Sequence, residues 1–179
     1  MRDRLKRRLA AVQLLVLDVD GVLTDGGLLM TPTGEVLRRY DVRDGLGLRL
    51  LAGAGLRLAF LSGAAGGAIE ARARQLGIDH CLTAIRDKQA ALAQLQAEWQ
   101  VPVAATAVVG DDLNDLAMRP LAGLLVAPAD AVAPLRRQAD LVLHHRGGHG
   151  AVRELAERML RARGSWQTLA RDGWRDRND

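Results

Sequence analysis

Four short segments of this 179-residue chain carry residues whose types and spacing can do chemistry together. The first is Asp18-Val19-Asp20-Gly21-Val22-Leu23-Thr24-Asp25, directly after an apolar run. The second is Ser62-Gly63, and the third is Asp87-Lys88 at the head of a helical pattern. The fourth is Gly110-Asp111-Asp112-Leu113-Asn114-Asp115. Carboxylates gathered in a partly closed site repel one another. A divalent cation resolves that repulsion, and hard oxygen donors favour Mg²⁺. The same ion neutralises an incoming phosphate. Ser62 and nearby backbone N–H groups could hold phosphate oxygens, and Lys88 could supply the remaining positive charge. Plainer readings stand beside these. Asp18 and Asp20 could cap a turn, Ser62 could be a helix N-cap, and Asp115 could be a helix-start carboxylate. Lys88 could be a solvated first-turn residue, but the chain has only Lys6 and Lys88 against 23 arginines, so a lysine here is less easily accidental.

Such residues must be presented by a scaffold. Leu14–Leu17 is a continuous apolar run stopped by Asp18, the pattern of a buried parallel strand. Leu56–Leu61, Thr106–Val109, Leu124–Val126 and Leu141–Leu143 repeat it, with His80–Leu82 as a short extra strand. Helical patterns lie between. Leu46, Leu50 and Leu51 share a face, with Asp44 as a plausible N-cap. Ile69, Ala73 and Leu76 share one that ends at Gly77, and Leu92, Leu95 and Trp99 share another. Val152, Leu155, Ala156, Met159 and Leu160 make the clearest amphipathic stripe. Alternation of this kind predicts an α/β fold: a Rossmann-like parallel sheet with helices on both faces and ligands at the carboxyl ends of the strands. One piece departs from the alternation. Leu28-Leu29-Met30, Thr-Pro-Thr-Gly and Glu35–Tyr40 predict a small β-hairpin inserted over about 27–40. Residues 164–179 read as an irregular polar tail that carries Trp166 and Trp174, after a single domain over 1–163.

Composition narrows the class. The chain is 49% apolar and 26% charged, which excludes disorder. Its single cysteine, Cys81, excludes a disulfide framework and a cysteine-rich zinc module, and fits a reducing cytoplasm. The apolar stretch Leu50–Ile69 contains Arg57 and several glycines, so it reads as helix end, turn and strand rather than a membrane span. MRDRLKRRLA is basic but lacks a following signal-peptide core. The net charge is +4, yet the arginines are scattered or terminal and aromatics are only 3%, which argues against a nucleic-acid surface. His144, His145 and His149 read as loop histidines, because the carboxylate cluster is the better Mg²⁺ site. Arg43 and Arg49 are either surface charges or a fork for a substrate carboxylate.

The constellation resembles the haloacid dehalogenase superfamily of phosphatases. Asp18-x-Asp20-Gly-Val-Leu-Thr24 matches its first motif, Ser62 its second, Lys88 its third and Gly110-Asp111-x-x-x-Asp115 its fourth. Asp41-Val-Arg43-Asp44-Gly45-x-Gly47-x-Arg49, the hairpin, Leu76-Gly-Ile78 and Gly147-Gly-x-Gly-Ala-Val-Arg-Glu154 are similar to its family of 3-deoxy-D-manno-octulosonate 8-phosphate phosphatases, over about 14–163. The resemblance implies a Mg²⁺-dependent phosphatase of lipopolysaccharide precursor synthesis. Asp18 would be the nucleophile and Asp20 the general acid and base. The metal would be held by Asp18, the Asp20 backbone carbonyl and Asp111, with Asp112 or Asp115 anchoring waters and orienting Lys88. Substrate contacts would come from Asp20, Ser62, Gly63, Asp41, Arg43, Asp44, Gly45, Arg49, Arg72, Arg86 and Lys88. Two other functions fit the same residues. One is a phosphatase of another 2-keto-3-deoxy sugar acid or of broader sugar phosphates. The other is a non-catalytic oligomerisation module, like the domain attached to some sialate synthetases.

Only 36 residues separate Asp25 from Ser62 and 25 separate Ser62 from Lys88, too few for a cap domain. A capless site is open unless another subunit covers it. The resemblance implies a homotetramer with associated hairpins, and the tail, Gly164–Trp174, is expected against a neighbour. One position departs from the family: Ala64 stands where an arginine usually follows Ser62-Gly63, and Arg86 is a possible substitute.

Overall fold

The computed structural model describes residues 2–174. Six parallel strands form the sheet: β1 (Leu14–Leu17), β4 (Arg57–Leu61), β5 (His80–Leu82), β6 (Thr106–Val109), β7 (Leu124–Ala127) and β8 (Leu141–Val142), in the order β5-β4-β1-β6-β7-β8. β1 is central and wholly buried, pairing Leu17 with Phe60 on one side and Val109 on the other. Both sheet faces are covered, which is why the strands read as unbroken apolar runs. Leu15, Leu17, Phe60 and Val109 face one core with α1 (Arg2–Ala11), α2 (Val42–Gly53), α3 (Gly67–Leu76) and α6 (Ala151–Arg163). Leu14, Val16, Ala59 and Val108 face the other, with α4 (Lys88–Trp99) and a 3₁₀ segment, Leu113–Leu121. A short helix, α5 (Ala133–Gln138), packs beside β7. No helix among the described residues is long and apolar enough to cross a membrane.

The hairpin is present but smaller than the sequence predicts: β2 (Leu29–Met30) pairs antiparallel with β3 (Val36–Leu37), apart from the main sheet. β3 stops at Leu37 because the next side chain, Arg38, leaves the ladder for an ion pair with Asp20.

Two further expectations are corrected. The N-cap of α2 is Asp41, whose carboxylate accepts the Arg43 N–H at 2.7 Å. Asp44 lies inside the first turn, buried, and accepts the N–H groups of Gly150 (3.2 Å) and Arg153 (2.7 Å). It therefore caps α6, binding the amino-terminal turns of the two helices together. Gly47 lets them approach, since a Cβ there would lie 3.2 Å from the Ala156 Cβ. The tail is not irregular throughout: Trp166–Asp172 forms α7. Its Trp166 lies beneath Arg153 and Arg161, and Trp174 beneath Arg49, at 4.9–5.5 Å from guanidinium to ring centre. The tail tryptophans thus pack on their own chain, against the α2–α6 core.

Candidate active site

The four motif segments converge at the carboxyl end of the sheet. Asp18 ends β1, its N–H continuing the ladder to the Val109 carbonyl at 3.0 Å. The chain then coils tightly: the N–H groups of Val22, Leu23 and Thr24 all reach the Val19 carbonyl. Buried Thr24 fixes this turn, its Oγ1 accepting from the N–H groups of Gly21 and Gly26 and donating to Asp20 Oδ1 at 3.3 Å. Gly21 has φ +88°, and a Cβ there would meet Asp111 Oδ2 at 2.0 Å. Only glycine lets the Asp18–Asp20 loop sit against Asp111.

Lys88 reaches in from the first turn of α4, whose N-cap is Asp87. Its Nζ donates at 2.6 Å to both Asp18 Oδ1 and Asp115 Oδ1, and all three side chains are at least nine-tenths buried. Asp115 Oδ2 accepts the N–H groups of Asp111 (2.9 Å) and Asp112 (3.3 Å). Asp115 is therefore not merely a helix-start carboxylate: one oxygen orients Lys88 and the other shapes the Asp111 loop. Asp112 is exposed and caps the 3₁₀ segment through the Leu113 N–H.

Oxygens of Asp18, Asp111 and Asp115 lie within 4.8 Å of one another. Burial, then repulsion from Asp18, Asp115 and Asp112, pushes the Asp111 carboxyl up to about 8. Burial and Asp115 push Asp18 up to about 6, against the pull of Lys88. One lysine does not compensate three gathered carboxylates, so the donor set fits a divalent cation held by oxygens. With both Asp115 oxygens engaged, Asp18 and Asp111 supply the carboxylate donors.

Ser62 is buried at the end of β4; its N–H bonds the Leu82 carbonyl, and its Oγ accepts the Ala64 N–H at 3.1 Å. It is not the cap of α3, which begins at Gly67 with Gly66 before it. Gly63 is exposed, and its loop is tied to the one leading to Lys88 by Ala84 N–H to Ala64 O and Ile85 N–H to Ser62 O.

The structure gives the other residues expected at the substrate the following surroundings. Asp41 and Arg43 pair at 2.7 Å on the α2 cap. Arg49 lies over Trp174. Arg72 donates to the Asp41 carbonyl at 3.2 Å and lies over Tyr40; a Cβ on Gly45 would meet its Nη2 at 2.4 Å. Arg86 is exposed two residues before Lys88. His144 and His145 each bond Glu154 through Nδ1, at 3.0 and 2.9 Å. Burial raises Glu154, but these hydrogen bonds hold it down at about 2.

Sequence reasoning missed one support and singled out another without seeing its role. Arg38 binds Asp20 bidentately, Nε to Oδ1 at 2.8 Å and Nη2 to Oδ2 at 3.0 Å. Among 23 arginines nothing singled it out. Gly147 and Gly148 brace the loop that follows Asp18: Cβ atoms there would strike the backbone of Gly21 and Thr24, and the Gly148 N–H bonds the Val22 carbonyl. The Gly-Gly-x-Gly spacing was that signal.

A haloacid dehalogenase-like hydrolase model matches residues 82–155. A 3-deoxy-D-manno-octulosonate 8-phosphate phosphatase of Yersinia pestis is 39% identical over 160 residues, 89% of this chain and 86% of that protein. The crystal structure of a Yersinia pestis phosphatase of that name superposes with a TM-score of 0.90 at 38% identity, covering 92% of this chain and 89% of the other. One from Moraxella catarrhalis, in complex with magnesium, phosphate and KDO, gives 0.93 at 30% identity, covering 97% and 100%. With the motif carboxylates and Lys88 brought to one strand-end site, this chain belongs to the 3-deoxy-D-manno-octulosonate 8-phosphate phosphatase family of haloacid dehalogenase-like hydrolases.

Proposed function

We propose that this chain hydrolyses 3-deoxy-D-manno-octulosonate 8-phosphate to the free sugar acid and inorganic phosphate, in lipopolysaccharide precursor synthesis. The observation that carries this is the buried row Asp18–Lys88–Asp115 facing Asp111 at the tip of the central strand. Asp18 attacks phosphorus and the bond to the sugar oxygen breaks, leaving an aspartyl phosphate. Asp20, released from its ion pair with Arg38 and protonated from solvent, gives that proton to the departing oxygen. It then takes a proton from the water that attacks phosphorus and frees Asp18. Lys88 holds Asp18 in place, and Asp115 holds Lys88. The Ser62 hydroxyl, whose oxygen already accepts the Ala64 N–H, keeps its hydrogen for a phosphate oxygen. Asp18 and Asp111, with the Asp20 backbone carbonyl, would hold Mg²⁺. Bound there, the ion supplies the positive charge that the carboxylate cluster lacks and the phosphate requires.

Ala64 favours a second reading of the same chemistry, on another 2-keto-3-deoxy sugar acid phosphate. An arginine expected to bind substrate is absent there, and Arg43, Arg49 and Arg72 are engaged elsewhere. The intact carboxylate–lysine set argues against a non-catalytic module. We further propose a cytoplasmic homotetramer, its catalytic domain over residues 1–163. Its support is the hairpin, where Leu28, Leu29 and Met30 are 51%, 66% and 68% exposed, a face another copy can cover.

The test is phosphate release from a panel of sugar-acid phosphates with and without Mg²⁺. The octulosonate 8-phosphate is expected to have the highest kcat/KM, with activity lost on chelation and in Asp18→Asn. Turnover that persists in Asp18→Asn would overturn the mechanism; a higher kcat/KM for another sugar-acid phosphate would select the second reading.

A further inference from the structure

Arg38 is the least expected group near the site. It leaves the hairpin with a side chain only 2% exposed. Two of its nitrogens occupy both carboxylate oxygens of Asp20. The third, Nη1, is buried and has no hydrogen-bond partner among the described residues. It points at the loop after β4: a Cβ built on Gly66 would lie 3.6 Å from it. That loop carries Ala64, where a guanidinium is missing.

Two consequences follow. A buried guanidinium N–H without an acceptor is costly, so this corner of the site is complementary to an anionic oxygen. Furthermore, Asp20 cannot swing toward a leaving oxygen while both of its oxygens are clamped and Thr24 holds the same side. An anion that takes over the guanidinium would satisfy Nη1 and release Asp20 in one movement.

We propose that Arg38 is a specificity-determining latch: the carboxylate of a sugar-acid phosphate displaces Asp20 from its guanidinium, and that exchange frees Asp20 to serve the leaving oxygen. This rests on the substrate reading given above. Phosphates without a carboxylate leave the latch closed.

The test compares kcat and KM of wild type, Arg38→Ala and Arg38→Lys on the octulosonate 8-phosphate and on D-ribose 5-phosphate, which has no carboxylate. Thermal melting and Mg²⁺ affinity report folding of each variant. Arg38→Ala should lower kcat/KM for the octulosonate phosphate by at least about 30-fold, the effect of removing one partner of a desolvated charge pair. It should raise kcat/KM for ribose 5-phosphate, since Asp20 is then unclamped. Arg38→Lys should recover part of the loss. Equal slowing on both substrates, or no loss on the octulosonate phosphate while wild type still prefers it, would overturn the latch and leave the substrate assignment standing. A wild type with no preference for the carboxylate-bearing phosphate would overturn both.

Discussion

Metal binding to this site should expel a proton at neutral pH. In the metal-free protein burial, above all, pushes the Asp111 carboxyl up to about 8 and that of Asp18 up to about 6. A carboxyl raised to about 8 is largely protonated at pH 7, so a cation that needs both carboxylates ionised displaces about one proton. At pH 9 the figure falls to about 0.1. The apparent Mg²⁺ dissociation constant should therefore drop about tenfold from pH 7 to pH 9. Titration calorimetry in buffers of different ionisation enthalpy reads the proton count directly. Asp111→Asn should abolish the buffer dependence along with most of the affinity. The same shift sets a stability trend. Between the ordinary aspartate value of 3.8 and about 8, the folded metal-free protein binds more protons than the unfolded chain. Its stability should therefore fall as pH rises through that window, and Asp111→Asn should flatten the fall. Heats at pH 7 that do not depend on the buffer would refute the reasoning, because they would mean that Asp111 is already ionised without metal.

Three further outcomes are expected. Gly21→Ala combines a left-handed backbone with a Cβ 2.0 Å from Asp111 Oδ2, so kcat should fall at least about 100-fold and Mg²⁺ affinity should weaken, as measured by kinetics and calorimetry. Asp44→Ala unties the α6 amino terminus from α2 and should cost about 1–2 kcal/mol in denaturant unfolding. Truncation after Arg163 removes the partly buried Trp166, Leu169 and Trp174 that pack against the core; it should cost at least about 2 kcal/mol, by an amount independent of protein concentration.

The strands and the carboxylate–lysine cluster were legible because each is locally encoded. A strand buried on both faces must be a run such as Leu14–Leu17, and a carboxylate that ends such a run lies at the ligand edge of the sheet. What escaped was set by distant partners. Asp41 and Asp44 are both good cap residues three apart; which one starts α2 depends on the Gly150 and Arg153 N–H groups, more than a hundred residues away. α1 presents Leu5 and Leu9 among six charged residues, too sparse a stripe to read without the core that Leu9 enters. α7 is held by arginine–tryptophan stacking that no local pattern encodes. Arg43 and Arg49 read either as surface charges or as a substrate fork, and no local pattern reveals that Arg43 pairs with Asp41 and Arg49 lies over Trp174. Arg38 was invisible because its partner, Asp20, lies eighteen residues away across the hairpin.

The most direct measurement is a rapid-quench experiment with phosphate-labelled substrate and Mg²⁺, followed by peptide mapping. Label should appear transiently on the peptide containing Asp18, be acyl-phosphate labile, and vanish in Asp18→Asn. Label on Ser62, or full turnover in Asp18→Asn, would contradict covalent catalysis by the residue at the tip of β1.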